Sequence, residues 1–400
     1  MTHALDQALC ADRRRAYGGA LDLLAAKLAE DERTIGVEFP YVTAEDGSWQ
    51  TMPASRSAGY EGEAWSHGNW FCGFWVGLHL AAHLWTGEAR HLAWARERMV
   101  LVAPRAADPN THDIGFIFWA SAIPLFHITA DRSYAALALA AADRLRARLI
   151  TTARGAYLSS WGPLSDLRGR RSSAIDTMAN LPLLYWAADH ADDGSFRLAA
   201  LAHALMTRDA FVRADGSTYH AVEYDLATGE RARGFTFQGA FDESCWPRGQ
   251  GWAIYGFAAT FRATGRREHL DLAERLADYY LARLGEDLVP FWDFDDPAIP
   301  NAPRDSSASA IVAAALLEIA RLHPDPQAAA RRAEQGCRLL DALCEGYLAR
   351  NSAHRGLLQE GCYAKPQGLG VASAVLFGDF YFTEALAGLL MPGRLGPVPV

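Results

Sequence analysis

Two aspartates, Asp113 and Asp176, each lie directly ahead of an apolar segment with helical spacing. A carboxylate at the mouth of a helix can point into a cavity. Two carboxylates that converge in a partly dry pocket repel each other, so one acquires a raised pKa and can act as an acid near neutral pH. Aspartate is also a common helix cap, which is the ordinary interpretation of either residue alone. Because both aspartates lie in uncharged sequence, we predict acid–base chemistry.

A second polar segment places Arg248 and a glycine-flanked Gln250 between Trp246 and Trp252. An arginine among aromatic rings suits recognition of a carboxylate or of a cluster of hydroxyls. The alternative is an ion pair with an acidic residue in segment 242–243. The two tryptophans can stack on a ligand or fill the core, and their spacing is compatible with both.

Residues 217–238 have the alternation and the central turn of a β-hairpin. His220 and Gln238 lie on its opposite arms, so their side chains are predicted to converge over a pocket. His112 is adjacent to Asp113, where a structural hydrogen bond and a role in the site are equally compatible with the sequence.

The sequence has no spaced set of metal ligands and no glycine-rich phosphate loop, so we predict neither a metal nor a cofactor. The six cysteines show no C-x-x-C spacing and are expected to be buried reduced thiols. A net charge of -9 argues against nucleic acid as a partner. No apolar run reaches about 18 residues and the N-terminus has no signal-peptide pattern, so we expect a cytoplasmic protein without a membrane span. The oligomeric state is left open.

Helical periodicity extends along the whole chain, and successive helices pair through similar short turns. A repeated helical hairpin predicts either an open solenoid or a closed double ring. In each hairpin the first helix is rich in glycine and aromatic residues, and the second has one solvent-exposed polar face. This pattern favours a closed ring, with the first helices inside and the second helices outside. No linker divides the chain, so one domain over residues 1–400 is predicted, with the long connections on one rim. The twelve predicted helices cover approximately 4–29, 67–86, 89–103, 114–128, 131–149, 181–191, 195–211, 249–264, 267–285, 307–322, 326–348 and 371–391.

Six short motifs, collinear between about residues 65 and 390, resemble those of the unsaturated glucuronyl hydrolases, glycoside hydrolase family 88. The resemblance implies an (α/α)6 barrel with a small β-hairpin in a rim loop. It also implies removal of a 4,5-unsaturated glucuronic acid from the non-reducing end of oligosaccharides made by polysaccharide lyases. The motifs lie at 112–116, 175–187, 215–220, 238–256, 292–308 and 361–382.

By this resemblance, Asp176 protonates C4 of the sugar double bond and activates the water that adds at C5. Asp113 orients Asp176 or the sugar hydroxyls, and no metal takes part. By motif position, the residues that would contact the uronate ring are His220, Gln238, Arg248 and Trp252, and those that would form stacking walls are Trp161, Trp70 and Trp75. His112 and Trp246 are further candidate substrate-binding residues.

The sequence departs from the family pattern at two places. Phe237 stands where some members have histidine, and the 371–375 stretch is less acidic than expected, which leaves Ser373 as its candidate polar contact. Both concern the preferred oligosaccharide, which can derive from chondroitin, hyaluronan, heparin, xanthan or gellan. The arginines of segment 168–171 are candidates for holding a sulfate. The alternatives are an unsaturated rhamnogalacturonyl hydrolase and a non-catalytic helical binding scaffold.

Overall fold

The computed structural model describes residues 3–55, 68–351 and 353–394. Within these ranges the chain is mainly α-helical, with nine short strands in the connections. The helices are α1 His3–Ala8, α2 Ala11–Asp31, α3 Cys72–Thr86, α4 Ala89–Val102, α5 Ile114–Ala120, α6 Ala122–Thr129, α7 Arg132–Arg146, α8 Leu167–Arg171, α9 Thr177–His190, α10 Gly194–Phe211, α11 Pro247–Thr264, α12 Arg267–Ala282, α13 Ser306–Leu322, α14 Pro326–Ala342 and α15 Leu376–Leu390.

Six of these helices form a closed inner ring. Helix α3 contacts α5, and the contacts continue in order through α9, α11, α13 and α15, which returns to α3. Outside them lie α4, α7, α10, α12 and α14, each packed against the inner helix that precedes it, while α2 packs against α15 and α3. The predicted (α/α)6 barrel is therefore confirmed, and the open solenoid does not describe these helices.

The inner helices approach one another closely because glycine occupies their contact points. A Cβ atom on Gly73 of α3 would lie 2.2 Å from the carbonyl oxygen of Ile117 in α5. A Cβ atom on Gly256 of α11 would lie 2.4 Å from Cβ of Met178 in α9. Neither space accepts a side chain, so the glycine content of these segments reflects helix packing around a narrow centre.

The turns from inner to outer helices repeat the same geometry, as their sequences predict. Gly87 and Gly265 end α3 and α11 in the left-handed conformation, with φ of 74° and 66°. Ala130 adopts the same conformation after α6, with φ of 57°. The following Asp131 then caps α7 by accepting a hydrogen bond from the backbone N–H of Ser133.

Four small antiparallel sheets occupy the connections. The predicted hairpin is confirmed by the pairing of β6 with β7, and β5 adds a third strand beside β6. The sequence predicted one hairpin, whereas the pairings of β1 with β2, β3 with β4 and β8 with β9 were not predicted. The strands are β1 Phe39–Thr43, β2 Trp49–Met52, β3 Leu149–Thr151, β4 Ala156–Leu158, β5 Ser172–Ala174, β6 Ala221–Tyr224, β7 Arg231–Phe235, β8 Gly361–Ala364 and β9 Leu369–Ser373.

Several helix boundaries differ from the prediction. The helix predicted over 371–391 begins only at Leu376, because 369–373 pairs as β9 and Ala372 has a φ of 50°. The segment predicted at 4–29 is two helices, and the one predicted at 114–128 is interrupted at Ser121. Helix α9 begins at Thr177, so Pro182 lies inside it rather than at its start. None of the described helices combines the length and the apolar character needed to cross a membrane.

Candidate active site

The pairing of β5 with β6 brings Asp176 and His220 together from distant parts of the chain. Ala174 is opposite Ala221, and the backbone N–H of Ile175 donates to the carbonyl oxygen of His220 at 2.9 Å. The next residue, Asp176, occupies the N-cap position of α9, yet its side chain makes no capping hydrogen bond. Helix capping therefore does not explain this carboxylate.

Asp176 Oδ2 faces the imidazole of His220, with 3.9 Å between Oδ2 and Nε2. Both atoms are buried, and neither has a hydrogen-bond partner within the described part of the chain. The Asp176 side chain is 15% exposed, so the carboxyl group lies at the edge of a largely dry space. Two unpaired polar atoms at such an edge are available to a ligand.

Asp113 occupies the N-cap position of α5, and its side chain likewise makes no capping hydrogen bond. Its Oδ2 accepts a hydrogen bond from Thr111 Oγ1 at 2.8 Å, and its Oδ1 lies 3.2 Å from His112 Nε2. Asn180 connects the N-terminus of α5 to that of α9. Its side chain accepts a hydrogen bond from the backbone N–H of Phe116 at 2.6 Å and donates one to the carbonyl oxygen of Asp176 at 3.1 Å. The two aspartates are thus held on adjacent inner helices.

Burial and neighbouring charges shift the pKa values of Asp176 and His220 in opposite directions. Burial raises the pKa of Asp176 to about 7; the cation of Arg248 opposes this shift and the negative charge of Asp113 adds to it. Burial, and next the cation of Arg248, hold the pKa of His220 well below its usual value. Near neutral pH the site therefore combines a partly protonated carboxyl group with a neutral imidazole.

Arg248 is buried among partners of its own chain. Its guanidinium donates to Asp305 Oδ2 at 2.8 Å and to the carbonyl oxygens of Cys362 and Tyr363, and it lies over the ring of Trp246 at 4.2 Å. The alternative partners in segment 242–243 were therefore wrong. With these contacts, Arg248 acts on the site through its charge and by holding strand β8 in place.

Aromatic rings form the walls around the two carboxylates. Trp252 is fully buried against Phe116, at a centroid distance of 5.0 Å, and its Nε1 has no hydrogen-bond partner among the described residues. Trp70 stacks on Phe377 at 5.2 Å. Trp161 approaches His112 edge-on at 6.2 Å. These rings line the same region, together with Trp246, which lies 4.4 Å from the ring of His220.

The side chain of Trp75 faces away from this region, and that of Ser373 makes a hydrogen bond within its own strand. Trp75 was expected to form a stacking wall, but it is 1% exposed and its Nε1 donates to Glu32 Oε2 at 3.0 Å, on the outer side of α3. Ser373 ends strand β9, where its hydroxyl donates to the carbonyl oxygen of Val371 at 3.2 Å. Gln238 does lie at the rim, and its Nε2 donates to the carbonyl oxygen of Tyr363 at 3.2 Å.

Comparison with known proteins identifies the family. No protein-family model matches the chain. An unsaturated glucuronyl hydrolase of Bacillus sp. (strain GL1) is 36% identical over 385 residues, which cover 94% of this chain and 96% of the relative. The chain belongs to the unsaturated glucuronyl hydrolases.

Solved structures of unsaturated glucuronyl hydrolases share the fold over nearly the whole chain. The enzyme of Bacillus sp. GL1, described as responsible for the degradation of glycosaminoglycan, has a TM-score of 0.85 and 34% identity, covering 95% of this chain and 98% of its own. A Streptococcus agalactiae variant in complex with dGlcA-GalNAc6S has a TM-score of 0.78 and 26% identity, covering 94% and 92%.

Two residues near the site of this family member were missed by the sequence reasoning. Tyr363 lies in the last motif, yet only the structure shows that its hydroxyl accepts a hydrogen bond from Trp70 Nε1 at 3.2 Å. Thr177 lies beside Asp176, and its hydroxyl is 2.6 Å from His112 Nδ1. The signal for Thr177 was its position next to a candidate catalytic residue, but its partner is far away in the sequence.

The described residues contain no group of three or more histidine, cysteine, aspartate or glutamate side chains placed to hold a metal ion. All six cysteines are unpaired, and five of them are buried. Burial raises the pKa of the Cys245 thiol to about 12, which leaves it protonated and unreactive.

Proposed function

We propose that this chain removes 4,5-unsaturated glucuronic acid from the non-reducing end of lyase-generated oligosaccharides by adding water across the C4=C5 vinyl ether. The observation that carries the proposal is the carboxyl group of Asp176, whose pKa is raised to about 7 and whose Oδ2 is buried without a partner among the described residues. Such a group is a general acid at neutral pH that becomes a base once it has given up its proton.

The reaction begins with the protonated form of Asp176. Its proton passes to C4 of the double bond, and the positive charge that develops is shared by C5 and the ring oxygen. Asp176, now ionised, accepts a proton from the water whose oxygen bonds to C5. The resulting hemiketal opens by breaking the bond between C5 and the ring oxygen, which leaves a ketone at C5 and a hemiacetal at C1. The hemiacetal then expels the remaining saccharide as an alcohol and becomes an aldehyde.

Asp113 has the second role in this proposal. Its negative charge adds to the raised pKa of Asp176 and thus helps to keep the acid protonated near neutral pH. The neutral His220 is placed to donate or accept a hydrogen bond at the reacting end of the sugar. The other proposed contacts to the uronate ring come from Trp252 and Gln238, with Trp161 and Trp70 as apolar walls.

The nature of the relatives favours a glucuronyl substrate over a rhamnogalacturonyl one. The variant of the Streptococcus agalactiae relative binds dGlcA-GalNAc6S, an unsaturated uronate linked to a sulfated amino sugar. We propose a substrate of this class for the present chain. The arginines of α8 are candidate sulfate ligands, since Arg168 and Arg170 are exposed, whereas Arg171 donates to the carbonyl oxygen of Tyr224 at 3.3 Å.

Two further parts of the proposal concern the whole chain. We propose that residues 1–400 form one catalytic domain, which is supported by the contacts of α1 with α14 and of α15 with α3 at opposite ends of the sequence. We also propose a cytoplasmic location, because six unpaired thiols suit a reducing compartment.

The test follows the ultraviolet absorbance of the conjugated C4=C5 bond while the protein acts on unsaturated chondroitin and hyaluronan disaccharides. The wild type is expected to remove the absorbance, and Asp176→Asn is expected not to. Loss of absorbance with both proteins would transfer the acid role to Asp113. If neither protein acts on these disaccharides but the wild type acts on unsaturated rhamnogalacturonan products, the glucuronyl assignment is wrong.

A further inference from the structure

A buried chain of hydroxyl groups lies behind the two carboxylates. Ser160 Oγ and Thr177 Oγ1 are 3.0 Å apart, and Thr177 Oγ1 is 2.6 Å from His112 Nδ1. At its other end, Ser160 Oγ accepts a hydrogen bond from the backbone N–H of Ala174 at 2.7 Å. Ser160 and Thr177 are fully buried and His112 is nearly so. This hydroxyl chain therefore runs from strand β5 to the imidazole beside Asp113.

The hydrogen atoms of the hydroxyl chain have a defined direction. Each hydroxyl group can donate one hydrogen bond. A buried hydroxyl without an acceptor is unfavourable, because it has lost its hydrogen bond to water and gained none in the protein. Because Ser160 Oγ accepts from Ala174, its own hydrogen is directed to Thr177 Oγ1. The hydrogen of Thr177 is then directed to His112 Nδ1. The opposite direction would leave the hydroxyl hydrogen of Ser160 unpaired.

This direction fixes the tautomer of His112. A ring nitrogen that accepts at Nδ1 carries its hydrogen on Nε2 when the imidazole is neutral. Nε2 lies 3.2 Å from Asp113 Oδ1, so in this tautomer the ring N–H faces that carboxylate. The second oxygen of Asp113 accepts from Thr111 Oγ1 at 2.8 Å, since Thr111 Oγ1 itself accepts from the backbone N–H of Asp113 at 3.1 Å. The carboxylate of Asp113 is thus held by Thr111 at one oxygen and faces the Nε2–H of His112 at the other.

We propose that Thr177 and Ser160 are positioning residues, which hold His112 in the Nε2–H tautomer and thereby keep Asp113 oriented beside Asp176. This inference rests on the proposed function and adds two residues to it. Thr177 follows Asp176 directly in the chain, so the same side chain links the start of α9 to the histidine that faces Asp113. A change at Thr177 is therefore transmitted to Asp113 without any contact with the substrate.

Other charged and titratable groups lie near His112 and Asp113 and contribute to any pH dependence of the reaction. Their positions are Asp176 at the start of α9, His203 on α10, Arg148 after α7, His220 before β6 and Arg248 on α11.

The tautomer can be measured without any substrate. Nitrogen-15 NMR of histidine-labelled protein at pH 7 is expected to show His112, assigned with His112→Gln, as a neutral ring with its hydrogen on Nε2. In Thr177→Val this signal is expected to shift towards the Nδ1–H or doubly protonated form, and Thr177→Ser is expected to restore it. A wild-type ring protonated at Nδ1, or a spectrum unchanged in Thr177→Val, overturns the proposal.

Kinetics test the consequence for the reaction. Thr177→Val and Ser160→Ala are expected to lower kcat by about 10- to 100-fold, as a small misplacement of a reacting group does, with KM within about twofold. The loss of kcat is expected to accompany the altered nitrogen-15 signal of His112. Thr177→Ser is expected to restore both.

A matched control comes from Thr207, a fully buried threonine whose hydroxyl lies 3.2 Å from Nε2 of another buried histidine, His203. Thr207→Val is expected to leave kcat and the nitrogen-15 signal of His112 unchanged. Equal losses of kcat in Thr207→Val and Thr177→Val, without a change in the His112 signal, would reduce Thr177 to a structural residue. A wild type inactive on all unsaturated uronides refutes the proposed function instead, and the NMR result still decides the tautomer.

Discussion

Asp176 Oδ2 lies 3.9 Å from His220 Nε2, and neither atom has a hydrogen-bond partner among the described residues. Buried polar groups are almost always hydrogen-bonded, so an unpaired acceptor facing an unpaired ring nitrogen is unusual. The separation is too long for a direct hydrogen bond, yet a small polar group of a ligand can bridge it. The relationship therefore marks the place where the C4–C5 end of the sugar is expected to bind.

Replacement of Asp176 by asparagine tests this placement most directly. Asparagine keeps the shape of the side chain but cannot donate the acidic proton, so kcat is expected to fall by about 10²- to 10⁴-fold. KM is expected to change little, because the binding contacts remain. The measurement is the initial rate of absorbance loss on an unsaturated disaccharide. A variant that keeps more than half of the wild-type kcat would show that another group protonates C4.

The pH dependence of the reaction follows from the protonated role of Asp176. Because the acid form is needed at the start and its pKa is raised to about 7, kcat/KM is expected to fall as the pH rises through about 7. The bound substrate brings its own carboxylate, so the same limb in kcat is expected at a higher pH than in kcat/KM. A limb that moves to lower pH on substrate binding contradicts this electrostatic account.

Asp113→Asn tests whether the charge of Asp113 contributes to the raised pKa of Asp176. The negative charge of Asp113 contributes to the raised pKa of Asp176, so its removal is expected to shift the basic limb of kcat/KM to lower pH. The residual activity of this variant is expected to exceed that of Asp176→Asn. An unshifted limb would mean that Asp113 affects orientation alone.

The sequence predicts the candidate pair of aspartates and the barrel because both depend on local patterns. Asp113 and Asp176 each open an apolar helix, and helical periodicity identified the barrel helices despite shifted ends. The hairpin pattern also placed His220 near the pocket, which the pairing of β5 with β6 explains. In each case the informative residues are neighbours in the sequence.

The parts that could not be predicted depend on long-range contacts. Helix α3 is apolar on all sides, so its sequence does not show that Trp75 faces Glu32 and not the ring centre. Arg248 pairs with Asp305 on the next inner helix, a partner that local spacing does not reveal. The last three residues of strand β9 were assigned to a helix because this short apolar run has no distinguishing period.

Arg248 is expected to influence both stability and the pH profile. In Arg248→Met the fully buried Asp305 loses its ion-pair partner, which is expected to lower the free energy of unfolding by about 3–5 kcal/mol. The cation that opposes the raised pKa of Asp176 is also lost, so the basic limb of kcat/KM is expected to move to higher pH. Denaturant unfolding and a pH–rate profile measure the two effects.

The control for Arg248 is Arg332, which is equally buried but lies on α14, in the outer ring. Its guanidinium binds Glu274 at 3.0 Å and Asp278 at 2.5 Å. Arg332→Met is expected to destabilise the protein without moving the basic limb. Equal shifts of the limb in both variants would attribute the effect to loosened packing rather than to charge.

Phe237 is expected to determine which saccharide follows the uronate. Its ring is 36% exposed, and it packs on His220 at 4.2 Å and on Trp161 at 5.3 Å. Phe237→His introduces a polar group at this rim position, so the ratio of kcat/KM between two disaccharides that differ only in the second sugar is expected to change by about 10-fold, or about 1.4 kcal/mol. Phe241→Ala, at an exposed phenylalanine of the same loop, is expected to leave the ratio unchanged. A ratio unaffected by Phe237→His assigns the selectivity to other rim residues.

Gly256 tests the close approach of α9 and α11 that brings Asp176 to the site. A Cβ atom at this position would lie 2.4 Å from Cβ of Met178 and 2.5 Å from its carbonyl oxygen, and the backbone oxygen cannot rotate away. Gly256→Ala is therefore expected to lower the melting temperature and the free energy of unfolding, by about 1–3 kcal/mol as for other overpacked cores. Gly19→Ala in α2 is the matched change, because its Cβ would meet nothing within 4 Å, and it is expected to stabilise the helix by about 0.5–1 kcal/mol. Stabilisation by both substitutions would show that the two inner helices can move apart, and the position of Asp176 would then not depend on their contact.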